Sequence, residues 1–258
     1  MKKAAFYTLG CKVNQYETEA MAELFADSGY EIKEFTEVAD VYVINTCSVT
    51  NMGDRKSRQI IRRAKKLNPN AVIAVTGCYA QTAPDEVLAI EGVNLVLGTK
   101  DRKNIVTLVE ELNTESNINH VSDIMSNHEF EELQIKQYSN RTRAFIKIQE
   151  GCNQFCSYCI IPYARGPVRS RAKDDVVREI KELAHNGFKE IILVGIHVAS
   201  YGVDLGDTTL ESLIMDVDKI DGVERIRLSS IEPMTLNQEF IDSIKDSKKL
   251  CHHFHISL

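Results

Sequence analysis

No stretch of this sequence approaches the roughly 18 consecutive apolar residues of a membrane-spanning helix, so no such span is expected. The N-terminus opens with Lys2 and Lys3, but the apolar stretch behind them is short and ends at Lys12, which makes a poor signal peptide. An excess of positive charge is missing too: the formal net charge is -6, which argues against a nucleic-acid partner held by overall charge, because lysine and arginine drive phosphate binding. There is no short-period repeat and no low-complexity tract. Nor is there an even number of cysteines; there are seven. A cytoplasmic protein is expected, and there thiols serve as metal ligands or catalytic groups more often than as disulfides.

What is present is a 258-residue chain, 43% hydrophobic and 26% charged, the profile of a soluble globular protein with room for two domains. Its positive charge is locally concentrated. Arg141, Arg143, Lys147, Arg165, Arg169, Arg171 and Lys173 surround the densest cysteine motif with Glu150 as the single acid, and a second run holds Arg55, Lys56, Arg58, Arg62, Arg63, Lys65 and Lys66. The second run reads equally well as a solvated helix face or as an anion-binding one.

Residues 1–113 alternate β-branched or aromatic runs with amphipathic stretches, the pattern of a doubly wound parallel sheet. Strands are predicted at 4–9, 41–45, 72–76 and 95–97, and helices at 17–28, 55–67, 84–90 and 104–112. Residues 114–140 turn polar and read as a linker. Residues 141–258 resume strand–helix units, with strands at 144–149, 190–195 and 224–228 and helices at 174–186, 209–220 and 236–244, ending inside another strand from His253. The expected fold class is α/β: a doubly wound domain followed by an incomplete (β/α) part-barrel.

Cys152, Cys156 and Cys159 form a C-x3-C-x2-C loop directly after a predicted strand. Three thiolates can hold three corners of a cubane cluster, and since a [4Fe-4S] cluster usually takes four cysteines, one iron stays open to a small molecule. The competing reading is a zinc site completed by His252, His253 or His255. Cys251 has no evident partner and is expected to be a buried small hydrophobe. In the N-terminal half, Cys11, Cys47 and Cys78 each sit just past a predicted strand. Ligands of open parallel sheets bind outside the carboxyl ends of the strands, so these three can converge on a second metal, with ordinary core cysteines as the alternative.

Both cysteine sets, with Leu9-Gly10-Cys11-Lys12-Val13-Asn14-Gln15-Tyr16-Glu17, Asn45-Thr46-Cys47, Thr76-Gly77-Cys78 and Ile161-Pro162-Tyr163-Ala164-Arg165-Gly166, resemble the radical S-adenosylmethionine (SAM) methylthiotransferases over essentially the whole chain. The run from Lys12 to Glu17 is similar to the branch that modifies N6-threonylcarbamoyladenosine at position 37 of tRNA. The resemblance implies two [4Fe-4S] clusters, on Cys152, Cys156 and Cys159 and on Cys11, Cys47 and Cys78. It implies that the first reduces SAM to methionine and a 5'-deoxyadenosyl radical that takes hydrogen from C2 of the adenine. The second delivers sulfur, and a second SAM gives the methyl. It also implies SAM contacts at Tyr158, Gly195 and Glu232, RNA or SAM contacts at Arg165, Arg169 and Arg171, the tRNA anticodon loop as partner, and an electron donor such as flavodoxin or ferredoxin. Family members continue past the position of Leu258, finishing the barrel and adding an RNA-binding TRAM domain, so a C-terminally shortened chain with weakened tRNA affinity is expected. The alternatives are a methylthiotransferase acting on a ribosomal protein, a non-catalytic zinc-stabilised nucleic-acid-binding module, and an iron–sulfur carrier.

Overall fold

The computed structural model of the chain describes residues 1–48, 51–112, 115–135 and 143–256. They fall into two compact units, one formed by Met1–Asn127 with Gln154–Gly166, the other by His128–Asn153 with Pro167–Leu258. In chain order the first half contains β1 (Lys3–Thr8), α1 (Lys12–Asp27), β2 (Glu31–Lys33), β3 (Val41–Thr46), α2 (Asn51–Leu67), β4 (Val72–Gly77), α3 (Cys78–Thr82), α4 (Pro84–Leu88), β5 (Leu95–Leu97), α5 (Ile105–Glu110) and β6 (Ile118–His120). There follow β7 (Arg143–Glu150), α6 (Ile161–Arg165), β8 (Arg169–Ser170), α7 (Lys173–His185), β9 (Glu190–Gly195), α8 (Leu210–Asp218), β10 (Arg225–Leu228) and α9 (Gln238–Ile244).

The first unit is built on a six-stranded parallel sheet in the order β2-β1-β3-β4-β5-β6. Its central strand β3 is buried along its whole length, as expected where helices cover both faces of a parallel sheet. Successive side chains divide between two cores. Tyr42 and Ile44 pack with Ile60, Ile61 and Ile73 on one side, while Val41 and Val43 pack with Met21, Phe25, Leu95 and Ile105 on the other. The register sets Thr46 beside Gly77, so β3 and β4 end level with each other.

In the second unit β10, β9 and β7 run parallel, and β8 closes the order β10-β9-β7-β8 antiparallel to β7. Parallel bridges from Ile226 to Leu250 and from Ile231 to Ile256 begin the next pairing. This is the part-barrel expected from the repeated strand–helix units.

The predicted linker is corrected in part. Residues 113–114 and 136–142, including Arg141, lie outside the described residues, but Ile118–His120 adds a sixth strand to the sheet and Ile124, Leu133 and Ile135 are buried. A three-residue edge strand is held by its neighbour's backbone ladder rather than by a hydrophobic period, so polar composition hides it. The first helix begins at Lys12, five residues before its predicted start.

Candidate metal centre

Three cysteines mark the carboxyl edge of the first sheet on neighbouring strands. Cys11 is the residue before α1, Cys47 follows β3, and Cys78 follows β4. Gly10 between β1 and Cys11 has φ +108°, and a Cβ there would stand 3.2 Å from the Cys47 sulfur and 3.0 Å from Asn14 Nδ2. Gly77, at φ +96°, admits no side chain: its Cβ would stand 2.4 Å from the Thr46 carbonyl. Both glycines are required by close approach and by a backbone conformation that L side chains rarely adopt.

Asn14 fastens this edge. Its Nδ2 donates to the carbonyls of Leu9 (2.8 Å) and Thr46 (2.9 Å), joining the ends of β1 and β3. Its Oδ1 accepts from the Cys11 thiol at 3.5 Å and from the Arg165 guanidinium at 2.6 Å. The same guanidinium donates Nε–H to the Cys78 sulfur at 3.3 Å and pairs with Glu17 at 2.6 Å. Glu17 also pairs with Arg102 at 2.6 Å, every one of these charged side chains being fully buried. Burial pushes the Cys78 thiol up, and the Arg165 charge acts against it.

All seven cysteines are free. As they stand, no three His, Cys, Asp or Glu side chains among the described residues are gathered closely enough to enclose a metal ion. The donor set is nonetheless chemically suited to one: three soft thiols at one sheet edge, with an N–H already directed at one sulfur, match an iron–sulfur group or zinc rather than a hard cation.

The second cysteine set is divided between the units, Cys152 in one and Cys156 and Cys159 in the other. Phe155, just before Cys156, has φ +46°, a left-handed conformation that is costly for an aromatic residue and typical of functional loops. Its ring meets Tyr163 edge to face at 5.9 Å, and Cys159 N donates to Cys156 O at 2.9 Å, closing a tight turn.

Comparison with known proteins places this arrangement. Residues 3–98 match the uncharacterized protein family UPF0004, and residues 146–258 match the radical SAM superfamily. The threonylcarbamoyladenosine tRNA methylthiotransferase MtaB of Bacillus subtilis (strain 168) is 50% identical over the whole of this chain. The chain belongs to the radical SAM methylthiotransferase family. It spans 58% of the length of that relative and 62% of MtaB from Aquifex aeolicus, which is 43% identical over 99% of this chain. A tRNA-2-methylthio-N(6)-dimethylallyladenosine synthase of Thermoanaerobacter pseudethanolicus is 37% identical over 96% of this chain and is covered over 54% of its own length. Among solved structures, the radical SAM methyltransferase TsrM of Kitasatospora setae, with cobalamin and a [4Fe-4S] cluster bound, shares the fold, with a TM-score of 0.63 at 17% identity over 97% of this chain and 60% of TsrM.

Of the SAM contacts expected for the family, Tyr158 is 90% exposed on the cysteine loop. Gly195 ends β9 tightly packed: a Cβ would stand 2.9 Å from Gln149 Oε1. Glu232 follows β10, its Oε2 3.1 Å from His197 Nε2. Gln149 had drawn no attention in the sequence, yet it organises these strand ends. Its Nε2 donates to the carbonyls of Glu150 (2.8 Å) and Gly151 (2.7 Å), leading into Cys152, and its Oε1 accepts from His197 N (2.8 Å) beyond β9.

The three arginines expected to touch RNA or SAM are all buried. Arg165 belongs to the network around Cys78. Arg169 lies 3.7 Å from Glu150, which also binds the buried Lys147 at 3.1 Å. Arg171 pairs with Glu132 at 3.0 Å and with Glu179. None presents a surface cation. Cys251, expected in the core, is partly exposed, and among the histidines of the zinc alternative His252, His253 and His255 are exposed, with His255 Nδ1 3.2 Å from Ser230 Oγ.

Proposed function

We propose that the chain acts as a cytoplasmic tRNA methylthiotransferase, adding a methylthio group to C2 of N6-threonylcarbamoyladenosine at position 37. The observation that carries this reading is the ending of neighbouring parallel strands in Cys11, Cys47 and Cys78, ahead of the Cys152, Cys156, Cys159 loop. In this reading residues 1–113 carry an auxiliary [4Fe-4S] cluster on the first set, residues 114–140 are the connection, and residues 141–258 carry the SAM-binding cluster on the second.

When bound, the two clusters and SAM supply the electron, the radical initiation, the sulfur and the methyl, none of which a side chain can provide. The chain's own residues hold and orient. Each cysteine set would contribute three thiolates to hold its cluster. Asn14 and Arg165 fix the first set from beneath, Tyr158 offers an exposed ring for an adenine to lie on, Gly195 keeps the end of β9 narrow, and Glu232 offers a carboxylate beside His197. The anticodon loop is the substrate, and a flavodoxin or ferredoxin the reductant. Support for RNA comes from α2, which presents the exposed cations Arg55, Lys56, Arg62, Arg63 and Lys66, a run of positive charge suited to phosphates.

The test is metal analysis of the reconstituted chain and its anaerobic incubation with SAM, dithionite and either tRNA bearing threonylcarbamoyladenosine but no methylthio group or ribosomal protein, followed by mass spectrometry of the nucleosides and of the protein. The 2-methylthio nucleoside supports the proposal. Unmodified tRNA together with a methylthiolated ribosomal protein would assign the chain to the protein-modifying branch, and bound zinc with no SAM cleavage would leave a metal-stabilised binding module.

A further inference from the structure

Arg165 follows the second cysteine set by six positions, yet its side chain reaches the first. The short helix α6 delivers it: Thr99 Oγ1 donates to the carbonyl of Ala164 at 2.8 Å, and Gly166 N donates to Pro162 O at 2.7 Å, so the backbone on either side of Arg165 is held. The guanidinium then directs donors to the side chains of Glu17, Asn14 and Cys78. One terminal nitrogen lies 2.6 Å from Glu17 Oε1, the other binds Asn14 Oδ1 at 2.6 Å and Glu17 Oε2 at 3.2 Å, and Nε stands 3.3 Å from the Cys78 sulfur. The planar fork fixes all these donors relative to one another, so once Glu17 and Asn14 have engaged the terminal nitrogens, the direction of the Nε–H toward Cys78 is set. Glu17 is itself held by Arg102 on the same carboxylate oxygen. A fully buried cation that spends one donor on a cysteine sulfur is more than a structural ion pair, which the Glu17 carboxylate alone would complete.

We infer that Arg165 is a positioning residue of the first cysteine set: its Nε–H, aimed by Glu17 and Asn14, donates to the Cys78 sulfur and raises the reduction potential of the iron–sulfur group bound there. The inference rests on the reading of Cys11, Cys47 and Cys78 as cluster ligands. Hydrogen bonds to ligand sulfurs and nearby positive charge both favour the reduced, more negative form of a cluster. The segment from Cys156 to Arg165 thereby ties the electronic state of the first set to the loop that bears two thiols of the second.

The experiment uses the full chain with Cys152, Cys156 and Cys159 replaced by alanine, so that only the first set binds iron, in three forms: Arg165 retained, Arg165→Lys and Arg165→Gln. Iron and acid-labile sulfide are measured after anaerobic reconstitution, and the midpoint potential is followed by electron paramagnetic resonance during titration with dithionite. Lysine keeps the charge against Glu17 but loses the fork; glutamine keeps a neutral N–H and loses the charge. With iron retained, each replacement is expected to lower the equilibrium constant for reduction, by about tenfold for Arg165→Gln, which is about 59 mV for a one-electron couple, and by less for Arg165→Lys. Equal potentials in the three forms at equal iron content would overturn the inference while leaving the cluster assignment intact. Absence of iron with Arg165 retained would instead remove the cluster assignment, and the inference with it. If glutamine alone abolishes iron binding, the lysine form decides, an unchanged potential there counting against the role of the fork.

Discussion

Glu17 shows how a single side chain can be indispensable without being exposed to any ligand. It is fully buried and answers two buried guanidiniums, those of Arg102 and Arg165. Removing one partner of such an arrangement leaves uncompensated charge in a medium that cannot solvate it, whereas the intact set is much less consequential for net stability. Glu17→Ala is therefore expected to lower the unfolding free energy by about 3–5 kcal/mol, measured by urea denaturation of the apo chain; a loss below about 1 kcal/mol would mean that the guanidiniums find other partners or water. Gly10→Ala acts at the same edge through space rather than charge. With φ +108° and the Cys47 sulfur 3.2 Å from the added methyl, it is expected to reduce iron bound by the first set while the second set keeps its share. At this scale the sequence was legible where residue type alone carries meaning, as with the cysteines. It misled where burial decides. Arg165, Arg169 and Arg171 lie in a basic run and read as contacts for RNA or SAM, but the fold buries them against Glu17, Glu150, Glu132 and Glu179. Asn14 was hidden because the predicted helix begins at residue 17, whereas α1 begins at Lys12 and brings Asn14 onto the face of Cys11 three positions away.

Among the elements, the strands carrying the first cysteine set were predicted to within about a residue because β3 and β4 are continuous β-branched and apolar runs, the pattern of fully buried parallel strands. The short edge strands β2 and β6 were not, having three residues each and much of their surface exposed. At the other sheet, the first residues of β9 and β10 are joined by Glu190 with Arg225 (2.9 Å) and Arg227 (2.8 Å). Burial pushes the Glu190 carboxyl up, but hydrogen bonds from the two arginines outweigh it and hold the group below its ordinary 4.5. A carboxyl that is more acidic in the folded chain stabilises fully above the unfolded value and loses that contribution as pH falls through the lowered folded one. Glu190→Gln is expected to destabilise by about 0.5–1 kcal/mol at pH 7, the difference from the parent narrowing as pH drops below 4.5. An unchanged difference in acid would show that shape, not charge, is responsible. The helix α2 makes the opposite use of charge. Ile60, Ile61 and Ala64 enter the core, while Arg55, Arg62 and Lys66 are exposed. Replacing these three by glutamate is expected to weaken tRNA binding and to flatten its dependence on log salt by about 2–3, as for the loss of two or three phosphate contacts. An unaltered slope would exclude this face as the RNA contact.

For the whole molecule, the α/β class and the part-barrel could be read from alternating strand and helix periods. The division of the chain could not: the segment Gln154–Gly166 belongs with the N-terminal unit although it follows β7 in sequence, because α6 is held there by Thr99 and by the contacts of Arg165. Order along the chain cannot report such an exchange, since the partners that hold the segment, Thr99, Glu17 and Asn14, are distant from it in sequence. Among the described residues no helix is long and apolar enough to cross a membrane. In the proposed function the molecule carries two independent iron–sulfur sites, each on three cysteines. The most direct test is iron and acid-labile sulfide per chain after anaerobic reconstitution, on the parent and on the variant with Cys152, Cys156 and Cys159 replaced by alanine. About eight irons are expected in the parent and about four in the variant, one [4Fe-4S] group for each intact cysteine set. Stoichiometric zinc with no iron in either chain would contradict that expectation.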